Sequence, residues 1–203
     1  MQLVKPSFEI MTSFNRIEIL KHLEKCGRIC YKSEEKITDE SAALFIKKIV
    51  ENGHEAMIEH FSVSVKIICN RGVTHELVRH RLASYAQEST RYCNYSKDKF
   101  GNQITVIEPS FWSDKQELIE EFFQAMRDSE KHYLKLIELG ALPQEARCVL
   151  PIGLKTEIVT TANLREWKYI FKMRCSKSAH PQIKEIMIPL QEEFKKILPE
   201  IYC

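Results

Sequence analysis

Phe61, Val63, Val65, Ile67 and Cys69 alternate with Ser62, Ser64 and Lys66. A period of two suits a strand with one buried face and does not suit a helix, so the chain has to build a sheet and cover one side of it. LKTEIVTTAN, residues 154–163, alternates in the same way. Two weaker β-compatible stretches are QLVKPSFEIM at 2–11, which Pro6 pushes toward a sheet edge, and NQITVIEP at 102–109.

Helices are predicted between these runs. Ile17, Leu20, Leu23 and Cys26 recur at helical spacing in NRIEILKHLEKCGRICY. ESAALFIKKIVENG has Thr38 or Asp39 as a cap and Gly53 as its C′ residue. After a turn at Gly72, with Thr74 as cap, HELVRHRLA reads as a helix running out near Ser84. Ser113 and Gln116 fit a capping box for DKQELIEEFFQAMRDSEKHYLKLIELG. Pro143 takes the N1 place of a short helix that Pro151 stops, and Asn163 caps LREWKYIFKMR. A last helix starts at Pro181, with Pro189 expected to kink or divide it. With 203 residues, 44% of them apolar, and no repeat or linker, these elements predict one α/β or α+β domain spanning 1–203.

Thirty Lys and Arg against 28 Asp and Glu leave a formal charge of +2, so no global field attracts nucleic acid or a membrane, and any anion site must be local. No apolar run approaches the ~20 residues of a membrane span, and MQLVKPSFEIMTSF lacks the look of a secretory signal; a cytoplasmic protein is expected. Seven cysteines at scattered spacings, with no C-x-x-C pair, fit reduced thiols. His54 and His60 stand six apart rather than at the i, i+4 spacing of a helical zinc pair, so no metal is expected.

The local concentration of charge is RHRLASYAQESTRY, Arg79–Tyr92. On a helix, Arg79 and Arg81 would face nearly opposite ways, so one small ligand could not easily use both. Taken alone, the triplet Arg79, His80, Arg81 is better read as cations decorating a helix C-terminus, each worth ~0.3–1 kcal/mol. Ser84, Gln87, Ser89 and Thr90 add hydroxyl, amide and backbone donors, and Arg91 adds a planar fork, which favours phosphate recognition. Arg147, Asn163, Arg165, Arg174 and His180 would together suit a ligand with several phosphates.

This segment strongly resembles the signature of the flavin-dependent thymidylate synthases, R-H-R, seven residues, then S, usually followed by x-R-Y; Arg79, His80, Arg81, Ser89, Arg91 and Tyr92 fill it. GHEAMIEH, EARCVLPIGLKTEIVTTANLREW and MRCSKSAHPQIKEI resemble further blocks of the same family. The resemblance implies a central, mostly antiparallel sheet flanked by helices. It also implies conversion of dUMP to dTMP, with methylenetetrahydrofolate as carbon donor, FAD as hydride carrier and NADPH as its reductant. His54, Glu59, Arg79, His80, Arg81, Gln87, Asn163 and Arg165 match FAD positions, His54 also lying near the folate. Glu76, Gln87, Glu88, Ser89, Thr90, Arg91, Arg147 and Arg174 match dUMP positions, with Arg174 at the pyrimidine. Sites shared between subunits of a homotetramer are implied as well. Ala86, Gln87, Thr90, Tyr169, Ser178 and His180 depart from the commonest pattern.

Methylation at C5 of uracil usually begins with a cysteine attacking C6, and none of the seven cysteines, Cys93 included, has an obvious activating neighbour in the sequence. The resemblance implies instead that Arg174 stabilises an electron-rich uracil, a task for a group that stays cationic and offers two donors. Ser89 has no evident base partner and is read as a binding group. Two rivals remain: an RNA-binding module using the basic, aromatic Arg79–Tyr92 segment, and a related flavoenzyme that hydroxymethylates another pyrimidine nucleotide.

Overall fold

The computed structural model describes all 203 residues. A four-stranded antiparallel sheet has the order β2 (Ser7–Ile10), β3 (Ser62–Asn70), β6 (Lys155–Asn163), β4 (Ala83–Gln87). Both alternating stretches are strands. On β3, Val63, Val65, Ile67 and Cys69 are buried, and on β6 every second residue from Thr156 to Ala162 is. A separate parallel pair joins β1 (Gln2–Val4) to β5 (Thr105–Ile107), with Leu3 opposite Val106. QLVKPSFEIM is therefore two strands rather than one, broken at Pro6.

The chain divides into two compact units. The first comprises Met1–Ser7, Ile67–Arg79 and Tyr85–Val159. It holds α3 (Arg71–Leu77), the long α4 (Gln116–Glu138) and α5 (Pro143–Ala146), which continues into a 3-10 turn at Arg147–Val149. Tyr95, Ile104, Val106, Tyr133, Ala146 and Leu154 form its core, with Phe122 and Met126 of α4 packed against them. The second comprises Phe8–Lys66, His80–Ser84 and Thr160–Cys203. It holds α1 (Arg16–Tyr31), α2 (Ser41–Glu51), α6 (Leu164–Arg174), α7 (Pro181–Ile197) and α8 (Pro199–Tyr202). Trp167, Phe171, Phe194 and Tyr202 interlock there with ring centroids 5.1–6.0 Å apart. The polar tips are satisfied: Trp167 Nε1 donates to Val63 O at 3.0 Å and Tyr202 Oη to Leu164 O at 2.8 Å. No helix is long and apolar enough to cross a membrane.

Several local expectations are corrected. The helix expected over 75–84 ends at Leu77, and Ala83–Gln87 is a strand whose half-buried Ala83, Tyr85 and Gln87 alternate with exposed Ser84 and Ala86. Tyr85 Oη donates to Leu77 O at 2.6 Å, satisfying a carbonyl of the helix end, and Glu88 N extends the sheet to Glu157 O at 2.8 Å. Asn70, not Thr74, caps α3 through Val73 N. The Arg79–Arg81 triplet lies off the helix, so the opposed helical facing of the two arginines no longer argues for shared subunits.

Neither Thr38 nor Asp39 caps α2. Ser41 Oγ accepts from Thr38 N and donates to Glu24 Oε2, tying α2 to α1 instead. The Ser113–Gln116 box is absent, because α4 starts at Gln116, whose amide bonds forward to Glu120. Pro189 does not divide α7, which runs through it. Gly53, at φ +75°, closes α2 as expected.

Candidate active site

Helix α6 organises the second unit's polar cluster. Asn163 Oδ1 accepts from Glu166 N at 2.8 Å, and Leu164 N bonds Phe61 O, so the start of the helix is fixed in rotation against the sheet. Leu164, Trp167, Ile170 and Phe171 then face the core, while Asn163, Arg165, Glu166 and Tyr169 line a cavity of about 740 Å³. Its charges are balanced within: Arg165 Nη1 bonds Glu59 at 2.5 Å, and Lys168 Nζ bonds Glu55 at 2.5 Å.

His80 is buried beside this helix. Arg174 Nε donates to His80 Nε2 at 3.0 Å, and an arginine can only donate, so Nε2 carries a lone pair and the imidazole is neutral with its proton on Nδ1. Nδ1 lies 3.5 Å from Glu166 Oε1. Burial, and then the Arg174 charge, push the His80 pKa down to about 4, while burial raises that of Glu166. Tyr169 closes the group edge-on at 5.7 Å. Arg79 and Arg81 are exposed on either side.

The first unit holds the segment Gln87–Arg91 rigidly from behind. Gln87 Nε2 donates to Thr74 Oγ1 at 3.0 Å and to Thr156 Oγ1 at 3.3 Å. Glu88 has both oxygens engaged, by Tyr95 Oη at 2.9 Å and Lys155 Nζ at 3.0 Å, and Lys155 also pairs with Glu157. Ser89 Oγ accepts from Arg91 N, Ser89 O accepts from Cys93 N, and Thr90 is buried. Arg91 Nε donates to Gln144 Oε1 at 3.0 Å, three residues before exposed Arg147. Arg91 of the loop is thereby tied to α5, and the turn that follows α5 carries Arg147.

The family profile described as thymidylate synthase complementing protein matches residues 17–200. The chain belongs to this family. It is 34% identical over 166 residues to a protein of Pyrococcus abyssi called flavin-dependent thymidylate synthase, covering 81% of this chain and 67% of the relative. Proteins of the same name from Geobacter sulfurreducens and Mycolicibacterium gilvum are 32% and 33% identical, with 87% and 89% of this chain covered and 77% of each relative.

Among residues singled out from the sequence of this family member, His80 and Arg174 meet directly, and Glu59, Asn163 and Arg165 line one cavity. Gln87, Ser89, Thr90 and Arg91 share one braced segment, and Glu76 sits half-buried on α3. His54 is apart from the Glu59 cavity and shares a 3.0 Å hydrogen bond with Tyr31 Oη. Sequence reasoning missed Glu166 and Lys155. Glu166 occupies the third position after a capping Asn, where its own backbone N–H is the capped donor, and helical spacing brings Tyr169 to its side. Lys155 and Glu157 are two apart on an alternating strand and so share a face, a signal that was present in LKTEIVTTAN.

Proposed function

We propose that the chain is a flavin-dependent thymidylate synthase, which methylates dUMP to dTMP with methylenetetrahydrofolate as carbon donor, FAD as hydride carrier and NADPH as the reductant of FAD. The contact that carries this reading is Arg174 Nε on the buried, neutral His80 at 3.0 Å, because it links the R-H-R segment to the arginine assigned to the pyrimidine.

The donor set of the α6 cavity suits a flavin dinucleotide: Arg165, Lys168 and Lys172 for the diphosphate, Glu55, Glu59 and Asn163 for hydroxyl and amide groups, and Leu82 and Tyr169 for flat rings. FAD bound there supplies the hydride chemistry. His54, Arg79 and Arg81 complete the proposed flavin set. Arg91 and Arg147 take the nucleotide phosphate, while Glu76, Gln87, Ser89 and Thr90 shape the segment along which the nucleotide lies. Glu88, tied up by Tyr95 and Lys155, contributes through its backbone.

Arg174 stays cationic beside the pyrimidine, and His80 fixes the plane of its guanidinium through Nε. Charge that develops on the ring then meets a preset donor. Three of the seven cysteines fit this route without a thiol nucleophile. Burial pushes Cys69 up to about 12 and Cys175 to about 11, and burial and then Glu88 raise Cys93, all away from the reactive thiolate. The whole chain, in this reading, serves as one catalytic domain in a cytoplasmic homotetramer with sites shared between subunits.

The test combines FAD titration by fluorescence quenching with product analysis. Saturable FAD binding and dTMP formed from dUMP, methylenetetrahydrofolate and NADPH are expected. A protein that binds no FAD and makes no dTMP is not this enzyme.

A further inference from the structure

A second cavity in the second unit, of about 630 Å³, has a different character from the one at α6. It lies along the C-terminal part of α1, the 3-10 turn at Glu34–Lys36, and α2, and it reaches His54. Arg28, Lys36 and Lys48 line it, and no acidic residue does. Tyr31, Leu44 and Phe45 give it an apolar wall.

The wall is constructed. Gly27 lets Phe45 lie against α1, since a Cβ there would sit 2.7 Å from Phe45 Cε1. Arg28 covers the Phe45 ring at 4.1 Å and is held by the fully buried Glu24, which takes its Nε at 3.1 Å and Nη2 at 2.8 Å. Ser41 donates to the other Glu24 oxygen at 2.9 Å. The Glu24 charge is therefore consumed by Arg28. Lys36 and Lys48 enter no ion pair within the chain, and both are exposed, so the excess positive charge belongs to them.

The cations come from three separate elements along an aromatic wall, an arrangement for carboxylates strung along a chain that starts from a flat ring. A compact phosphate would need its donors to converge on one point. We infer that this cavity binds the p-aminobenzoyl-glutamate tail of the folate cosubstrate, with Lys36 and Lys48 reading successive glutamyl carboxylates. The inference rests on the proposed use of folate beside His54, which lines the same cavity and shares a 3.0 Å hydrogen bond with Tyr31. It adds tail-length specificity to that reading.

The experiment compares mono- and triglutamyl methylenetetrahydrofolate as substrates of the FAD-loaded protein. Exposed pairs of this kind are each worth roughly 0.2–1 kcal/mol, so two of them should lower KM for the triglutamate about two- to thirtyfold, with kcat unchanged. In the Lys36→Glu, Lys48→Glu double variant, whose sites are exposed enough to leave the fold alone, the preference should vanish or invert while FAD content and KM for dUMP stay constant. Equal KM values for both tails in the parent protein, or a preference that survives in the double variant, would overturn the inference and leave the proposed reaction standing. Should neither folate be turned over, the proposed reaction fails on its own. Calorimetric titration of p-aminobenzoyl-triglutamate then decides the cavity: binding that the double variant lacks supports it, and no binding overturns it.

Discussion

The cluster around His80 and the segment Gln87–Arg91 solve opposite problems. In the first, the group assigned to chemistry, half-buried Arg174, is held by an enclosed one: His80 is 5% exposed, and its two nitrogens face Arg174 and Glu166. In the second, the buried Tyr95 and half-buried Lys155 and Glu88 are supports, and the group assigned to the ligand, Arg91, is exposed. Enclosure tunes protonation and fixes a charge in one orientation, whereas bracing only keeps a loop in place for a charge that water already screens. The two regions should therefore fail differently when a single side chain is removed.

The largest effect is expected at Arg174. Its loss removes a charge-assisted contact worth roughly 1.5–3 kcal/mol at the pyrimidine, so single-turnover methylation at saturating dUMP with pre-reduced flavin should slow by about one to two decades. Arg174→Lys keeps the charge without the planar fork and should resemble Arg174→Ala. Arg174→Ala also takes away the charge that adds to burial in lowering the His80 pKa, so imidazole NMR should show that pKa rising. An unchanged rate in Arg174→Ala would reduce the enclosed cluster to a binding element.

Arg91→Ala is the matching change in the exposed region, and it should separate the two. A phosphate contact strengthens ground and transition states alike, so KM for dUMP should rise about tenfold while kcat holds. A fall in kcat as large as that of Arg174→Ala would erase the distinction drawn above.

Much of the architecture behind this contrast was readable in the chain. The alternation at Phe61–Cys69 and at Lys155–Asn163 announced the two long strands, and Asn163 announced the start of α6. Strand β4 escapes a local reading because HELVRHRLA has good helix character as far as Ala83 and the hydroxyl-rich residues after it look like a loop; only pairing with β6 makes Ala83–Gln87 a strand. Lys155–Glu88 spans 67 positions and His80–Arg174 spans 94; no local periodicity encodes such partners. His80 and Arg174 were reached through the family motif, and what the motif did not carry was the neutral state of the histidine, which depends on burial.

Breaking the brace should cost stability before catalysis. Lys155→Met leaves the Glu88 carboxylate, largely buried, with Tyr95 alone, a loss of roughly 1–3 kcal/mol and about 2–10 °C in Tm for a chain of this size. Adding Glu88→Gln removes the stranded charge and should recover part of that loss. Thermal unfolding of the single and double variants measures the coupling; strictly additive losses would mean the ion pair does not brace the loop.

A smaller signal comes from pH. The native His80 pKa of about 4 lies below the ordinary 6.5, so between those values the unfolded chain takes up a proton that the native one refuses. Stability from this group is complete above pH 6.5 and drains away as pH falls toward 4. Glu166, raised by burial, works in the opposite direction just above its ordinary 4.5 and offsets part of the loss. His80→Asn should flatten the slope of stability against pH in this window relative to the parent protein, as read by urea denaturation at stepped pH. Parallel slopes would place a protonated imidazole in the native cluster.

The smallest effect should be at Cys93, the thiol nearest the motif. Burial, followed by the negative charge of Glu88, holds it in the protonated form. A nucleophile for C6 of the pyrimidine would need the reverse, a cation or a base that frees the thiolate. Its backbone N–H already serves the loop by bonding Ser89 O at 2.9 Å, and serine keeps that bond while replacing the sulfur with a smaller, far less nucleophilic oxygen. Cys93→Ser should therefore form dTMP within about twofold of the parent rate, a difference well under the 1.4 kcal/mol that a decade represents. If turnover stopped while FAD and dUMP still bound, a covalent thiol adduct would be required, and the task assigned to Arg174 would pass to this residue.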